Sequence, residues 1–219
     1  MARDPAILAQ EEQELRNRRS EERAATMFRP ILIEIDSFIG FCLVRNLSAK
    51  GLKGRVYAEF GSGQRVIVRF SCDHAIEGAV IWASEGQIGV QFDAPIDVAG
   101  VLADLARPAK RGRVNRAPRL PIDCLGELVI GDRTLQIDVQ DISQRGIKAR
   151  TSYVRGGDEV TVRLPGLEPR KALVRWTTQG SAGLAFLRPF AFEELAAWVI
   201  SRNQLGRASA SRASAIAIG

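Results

Sequence analysis

Two six-residue stretches carry residue types suited to holding a ligand: Asp141-Ile-Ser-Gln-Arg-Gly146 and, earlier, Asn46-Leu-Ser-Ala-Lys-Gly51. A carboxylate or amide accepts hydrogen bonds from a base edge, a hydroxyl donates and accepts, and a glycine lets a ligand approach the backbone. The same residues also build a tight turn. Asp, Asn and Ser bond backbone groups two residues on, and Gly supplies the positive φ that bends the chain back. An arginine cluster precedes each stretch: Arg19-Ser-Glu-Glu-Arg23 ends 23 residues before Asn46, and Asn115-Arg-Ala-Pro-Arg119 ends 22 residues before Asp141. The planar guanidinium fork donates two parallel hydrogen bonds to a phosphate or a guanine edge and also stacks on a base. A polyanion resting on the strand and turn would lie within reach of the arginines that enter each unit.

Catalysis finds no comparable constellation. His74 is the one histidine, and no Cys/His, Ser/His/Asp, metal-ligand or glycine-rich phosphate-loop arrangement accompanies it. The reading is therefore a protein that is not an enzyme and carries no metal or cofactor. Cys42, Cys72 and Cys124 are odd in number and far apart, which excludes a disulfide framework and makes them reduced core fillers. A formal net charge of +6, with arginine dominating the cations, favours an anionic partner. Hydrophobic residues at 46% and charged residues at 26% suit an ordinary globular protein. No apolar run approaches the roughly 18 residues of a spanning helix, and Met-Ala-Arg-Asp-Pro is unlike a secretory leader, so the expected location is the cytoplasm.

The elements that must position these residues are mostly strands. Residues 4 to about 23 read as a helix, with Asp4-Pro5 at its start and Glu12/Arg16 and Glu14/Arg18 spaced four apart. After it, Pro30 to Ile35, Asp36-Ser37 and Phe38 to Val44 make a hairpin; Gln64 to Phe70 alternates cleanly; and Ala79 to Trp82 and Ile88 to Phe92 continue the series. A short helix over Asp97 to Leu105 ends the series. The pattern then repeats: Asn46 and Asp141, Ser48 and Ser143, and Gly51 and Gly146 are each 95 residues apart, while Trp82 and Trp176, Gly89 and Gly183, and Phe92 and Phe186 are each 94 apart. Two copies of one β-rich domain follow, the second closed by a helix over Phe192 to Ile200. Trp82 and Trp176 are expected in the cores. The segment 107–119 is an exposed linker rich in proline, glycine and charge, and residues 203–219 form a disordered tail.

With these residues in view, the chain resembles the PilZ family, the bacterial receptors for cyclic di-GMP, whose signature is R-x-x-x-R followed, some two dozen residues later, by [D/N]-x-S-x-x-G. The resemblance spans about residues 16 to 200. It implies a mainly β fold of two tandem six-stranded antiparallel PilZ-like β-barrels, each with a C-terminal helix, plus an N-terminal helix. The implied division is an N-terminal helical arm over 1–18, a first barrel over 19–106, a linker and second barrel over 107–202, and the tail. Arg19, Arg23, Asn46, Ser48 and Gly51 are the implied ligand-binding residues of the first copy, and Arg116, Arg119, Asp141, Ser143 and Gly146 those of the second, where Asn115 stands in place of the first signature arginine. The implied function is a non-enzymatic cyclic di-GMP receptor or adaptor in which Arg-rich segments clamp the nucleotide on a barrel face and reorient the domains. A protein partner in a bacterial signalling, motility or polysaccharide pathway would follow. Two alternatives are a PilZ-like protein-interaction adaptor with degenerate nucleotide sites and a basic nucleic-acid-binding β-barrel, although nucleic acid is not the expected partner.

Overall fold

The computed structural model describes residues 26–36, 38–71, 74–106 and 118–202. The expected N-terminal helix, Arg19, Arg23, Asn115, Arg116, Cys72 and the tail lie outside them. Twelve strands are described: β1 (Thr26–Ile35), β2 (Phe38–Ser48), β3 (Gly51–Val56), β4 (Arg65–Ser71), β5 (His74–Ser84) and β6 (Gln87–Phe92), then β7 (Leu120–Ile130), β8 (Arg133–Ser143), β9 (Gly146–Arg150), β10 (Glu159–Arg163), β11 (Arg170–Thr178) and β12 (Ser181–Phe186). They form two closed antiparallel barrels of six strands, in the orders β1-β2-β3-β6-β5-β4 and β7-β8-β9-β12-β11-β10. Helix α1 (Val98–Ala106) follows the first barrel, and helix α2, residues 192–202, follows the second. Closure leaves neither sheet with an unpaired edge, which removes the usual route to edge-to-edge aggregation.

Period-two alternation drives this arrangement. In β4, Val66, Val68 and Phe70 point inward between exposed or half-buried neighbours, and the same alternation buries Val160 and Val162 in β10. The first core gathers Ile31, Ile33, Val44, Val68, Ile88 and Val90, with Val101 and Leu105 of α1 packed against it. The second gathers Leu128, Ile142, Ile147 and Leu184 with Leu195, Trp198 and Val199 of α2. Trp198 donates its indole N–H to the Pro165 carbonyl at 2.8 Å, so the ring is buried without stranding its polar atom. The β5–β6 turn has positive φ at Glu85 (51°) and Gly86 (70°), and the β11–β12 turn at Gln179 (43°) and Gly180 (76°). Two-residue turns of that hand match the twist of the strands they join.

The barrels touch. Leu32 and Phe41 point away from the first core and join the second barrel's apolar cluster, with Ile39, Leu43 and Tyr57 packed alongside. Phe192, at the start of α2, meets Phe41 and Tyr57 edge to face, each at a centroid distance of 5.8 Å. The Tyr57 hydroxyl is buried there without a hydrogen-bond partner among the described residues. Burial, then the charge of Glu193, raises its titration above the ordinary tyrosine value.

Candidate functional site

The two signature stretches occupy equivalent places, each ending one strand and starting the next. Ser48 pairs with Gly51 across a two-residue turn, and Ser143 with Gly146. In both, the serine hydroxyl donates to the glycine carbonyl at 3.1 Å, and Ser143 is only 2% exposed, so this hydroxyl braces the turn. The glycines correct one expectation. Neither has a positive φ. A Cβ on Gly51 would stand 2.3 Å from the Val90 carbonyl oxygen, and one on Gly146 would stand 2.1 Å from that of Leu184. What these positions require is close approach of the neighbouring strand, β6 or β12.

Bulges aim the outward residues. Between β2 and β3, Val44 pairs with Gly54 and Asn46 with Lys53, leaving Arg45 as the extra residue; between β8 and β9, Val139 pairs with Ala149 and Asp141 with Lys148, leaving Gln140. Such an insertion bends a strand and redirects its side chains. Val44 stays in the core while Asn46, two residues later, is exposed. A second pair of bulges does the same for the tryptophans: Trp82 pairs with Gly89 and Trp176 with Gly183, after Ile81 and Arg175. Each tryptophan is 38% exposed, so the expectation that they fill the cores is corrected. Their rings lie across the glycine of the next strand, where a Cβ would overlap the indole nitrogen.

The result is the same row on each barrel. In the first it runs Asn46, Lys53, Gly89, Trp82 across β2, β3, β6 and β5; in the second, Asp141, Lys148, Gly183, Trp176 across β8, β9, β12 and β11. Lys53 extends over the Trp82 ring, its Nζ 5.6 Å from the centroid. Around Asn46 the surface sinks into an open cleft of about 410 Å³ lined by Arg45, Lys53 and Arg55 with Glu85 and Gln87. Three cations against one carboxylate make this a basic recess, with the Trp82 ring under Lys53 beside it, suited to an anion such as phosphate. Arg55 also reaches over Tyr57, with Cζ 5.6 Å from the ring centroid, so the cleft borders the barrel contact. In the second barrel Asp141 is already ion-paired with half-buried Arg119, and Arg150 approaches Asp138 at 3.6 Å.

Of the residues singled out from the sequence, the structure thus brings together Arg119 with Asp141 and Ser143 with Gly146, and sets Asn46 beside Ser48 and Gly51. Lys53, Arg55, Arg45 and the outward role of Trp82 were missed. Their signal lay in the adjacent polar pair Arg45-Asn46 between apolar Val44 and Leu47, which breaks alternation as a bulge does.

The described residues thus form two closed six-stranded barrels, the first carrying a basic recess beside a serine-braced turn. Residues 17–107, which take in the first barrel, match the family model of the PilZ domain. No curated protein matches the chain. Among solved structures, the chain is similar to the PlzA protein of Borreliella burgdorferi in complex with c-di-GMP, at 11% identity over 86% of this chain and 98% of that one with a TM-score of 0.33. It is likewise similar to the Bacillus subtilis inhibitor of motility MotI/DgrA, at 14% identity over 83% and 99% with a TM-score of 0.32. YcgR from Escherichia coli in complex with c-di-GMP is similar at 12% identity over 93% and 92%, with a TM-score of 0.31. Among the described residues, no helix is long and apolar enough to cross a membrane.

Proposed function

We propose that the protein is a non-enzymatic cyclic di-GMP receptor whose first barrel holds the working site. The observation that carries this reading is the basic cleft around Asn46, built on the barrel that the PilZ model covers. Arg19 and Arg23, on the segment entering β1, supply guanidinium forks to phosphate and guanine; Asn46 offers its amide to a base edge; Lys53 and Trp82 extend the row with a charge and an exposed ring. Ser48 and Gly51 hold the strand and turn on which Asn46 is displayed. The second copy uses Arg116, Arg119, Asp141, Ser143 and Gly146, with its carboxylate spanned by Arg119 before any ligand arrives. Binding draws the arginine-bearing segment onto the barrel face. Turning one barrel against the other requires in addition that Phe192 leave Phe41 and Tyr57.

Calorimetric titration of the full chain with cyclic di-GMP tests the reading, with Arg23→Ala and Arg119→Ala run beside it. Losing one charge-assisted contact costs on the order of ten- to a hundredfold in affinity, so Arg23→Ala is expected to lose most binding and Arg119→Ala to keep most of it. No heat up to about 1 mM nucleotide, equivalent to about 4 kcal/mol, refutes the receptor and leaves the protein-interaction adaptor in its place.

A further inference from the structure

Position-by-position comparison of the barrels separates what the fold requires from what one copy adds. Lys53, Arg55 and Trp82 have Lys148, Arg150 and Trp176 as counterparts, whereas Arg45 is replaced by Gln140 and Phe28 by Asp123. Phe28 sits in the bulge of β1 between Thr26 and Arg29, and the second barrel forms the matching bulge between Pro121 and Cys124 with Asp123 inside it. A phenyl ring is therefore not needed for the bend. Nor does core packing explain it, because Phe28 is 66% exposed. What the ring does is carry a guanidinium: the Arg45 Cζ lies 4.5 Å from its centroid. Arg45 is at the same time a wall of the cleft around Asn46. An arginine stacked on an aromatic ring keeps its fork in one plane, and less freedom is lost when that fork meets an oxyanion.

We propose that Arg45, held flat by Phe28, is a further ligand-contacting residue of the first barrel, donating through the guanidinium edge to a phosphodiester oxygen of the bound dinucleotide. The proposal rests on the receptor reading given above and adds to it a contact that the second barrel lacks. Phe28 is a positioning residue in this scheme, acting through Arg45 alone. The charge also offsets a deficit of the first copy, where Asn46 is neutral and cannot itself anchor a guanidinium that binds phosphate.

The test titrates cyclic di-GMP into the full chain and into Arg45→Gln, Arg45→Lys, Phe28→Ala and Arg23→Ala, with the thermal midpoint of each unliganded variant measured alongside. Arg45→Gln installs the residue that the second barrel tolerates at this place, so the fold is expected to melt as the parent does. Its affinity is expected to fall on the order of ten- to a hundredfold, with Lys recovering only part of the loss because charge returns without the planar fork. Phe28→Ala should weaken binding about three- to tenfold by freeing the arginine. If Arg45→Gln binds as the parent does while Arg23→Ala loses binding, the inference is overturned and the receptor reading stands. If the parent itself gives no heat, both fall. Equal affinity of Arg45→Lys and the parent would refute the stacked geometry.

Discussion

Replacing Gly146 with alanine should unfold the second barrel more readily, whatever its effect on a ligand. The added methyl would stand 2.1 Å from the Leu184 carbonyl oxygen, and 3.1 and 3.2 Å from the Leu184 carbonyl carbon and the Ala185 Cα. The obstructing atoms are backbone of β12, so no side chain can rotate aside; β9 must move out by about 1 Å to reach ordinary contact. That shift strains the ladder in which Gly146 pairs with Ala185 and Ile147 with Leu184. Overpacking of this kind costs about 1–3 kcal/mol, and weakening one ladder hydrogen bond adds about 1 kcal/mol. For a chain of this size a loss of about 2–4 kcal/mol lowers the midpoint by about 5–15 °C. Gly51→Ala should act alike in the first barrel, where the Val90 carbonyl oxygen would be 2.3 Å away. Circular dichroism melts of both variants without ligand check this. A midpoint within about 1 °C of the parent, together with lost nucleotide binding, would refute the argument and return these glycines to a ligand-contacting role.

Three further outcomes follow from the same geometry. Tyr57→Phe removes a buried hydroxyl that lacks a partner among the described residues and should stabilise the protein by about 1–2 kcal/mol in urea unfolding at pH 7. Because the folded-state titration of Tyr57 is raised, its stabilising share is complete below the unfolded value near 10 and is lost as pH rises through the folded value. The parent should thus lose more stability than Tyr57→Phe between pH 9 and about 11, and equal slopes would contradict the burial of that hydroxyl. A chain ending at residue 106 leaves Leu32, Phe41 and Tyr57 without the cover of Phe192, so it should fold but bind a hydrophobic dye that the full chain does not; unchanged dye fluorescence would count against the interface. Burial pushes the Cys42 thiol up to about 12, so at pH 8 it should resist a thiol-specific disulfide reagent until the barrel unfolds, and fast labelling of Cys42 in the native protein would refute its placement.

Much of the fold was legible because its determinants are local. Alternation in Gln64 to Phe70 and in Leu135 to Val139, turn residues between the runs, and a constant offset between copies suffice to give two copies of one β-rich unit, while the count of six strands in each came from the resemblance to the PilZ family. The parts that were not legible depend on atoms distant in sequence. Gly51 is fixed by a carbonyl 39 residues on, at Val90, and nothing near Gly51 distinguishes that requirement from the positive φ of a turn. The tryptophans read as core from their matching strand positions ahead of matching Gly-x-x-Phe segments, and unbroken alternation from Val80 would point Trp82 inward; the bulge at Ile81 reverses that. Gly89 and Gly183 held a clue, since a glycine inside a strand often marks close approach of another group, here the indole. The barrel contact stayed hidden because Phe41 and Leu43 lie in a strand apolar on both faces, and sequence alone does not say what covers the second face.

The differences between the copies bear on how each would meet an anion. In the second barrel Arg119 spans to Asp141, so on the proposed roles the acceptor for a base edge and the donor for a phosphate already satisfy one another. A ligand that uses both must replace that pair, whose attraction at an effective dielectric near 20 is of order 4 kcal/mol at 4 Å before desolvation is counted. Much of what it gains from the two groups is therefore spent on separating them. In the first barrel Asn46 is neutral and makes no such claim on a guanidinium, and Arg45, Lys53 and Arg55 face one carboxylate, Glu85. An incoming phosphate there meets an excess of positive charge and displaces no ion pair of Asn46. On the proposed roles the first barrel should therefore hold a phosphodiester more tightly than the second, even though a lone carboxylate is the better acceptor for a guanine edge. It follows that the aspartate of the second copy, stronger in isolation, is weaker in place because its arginine is already bound to it.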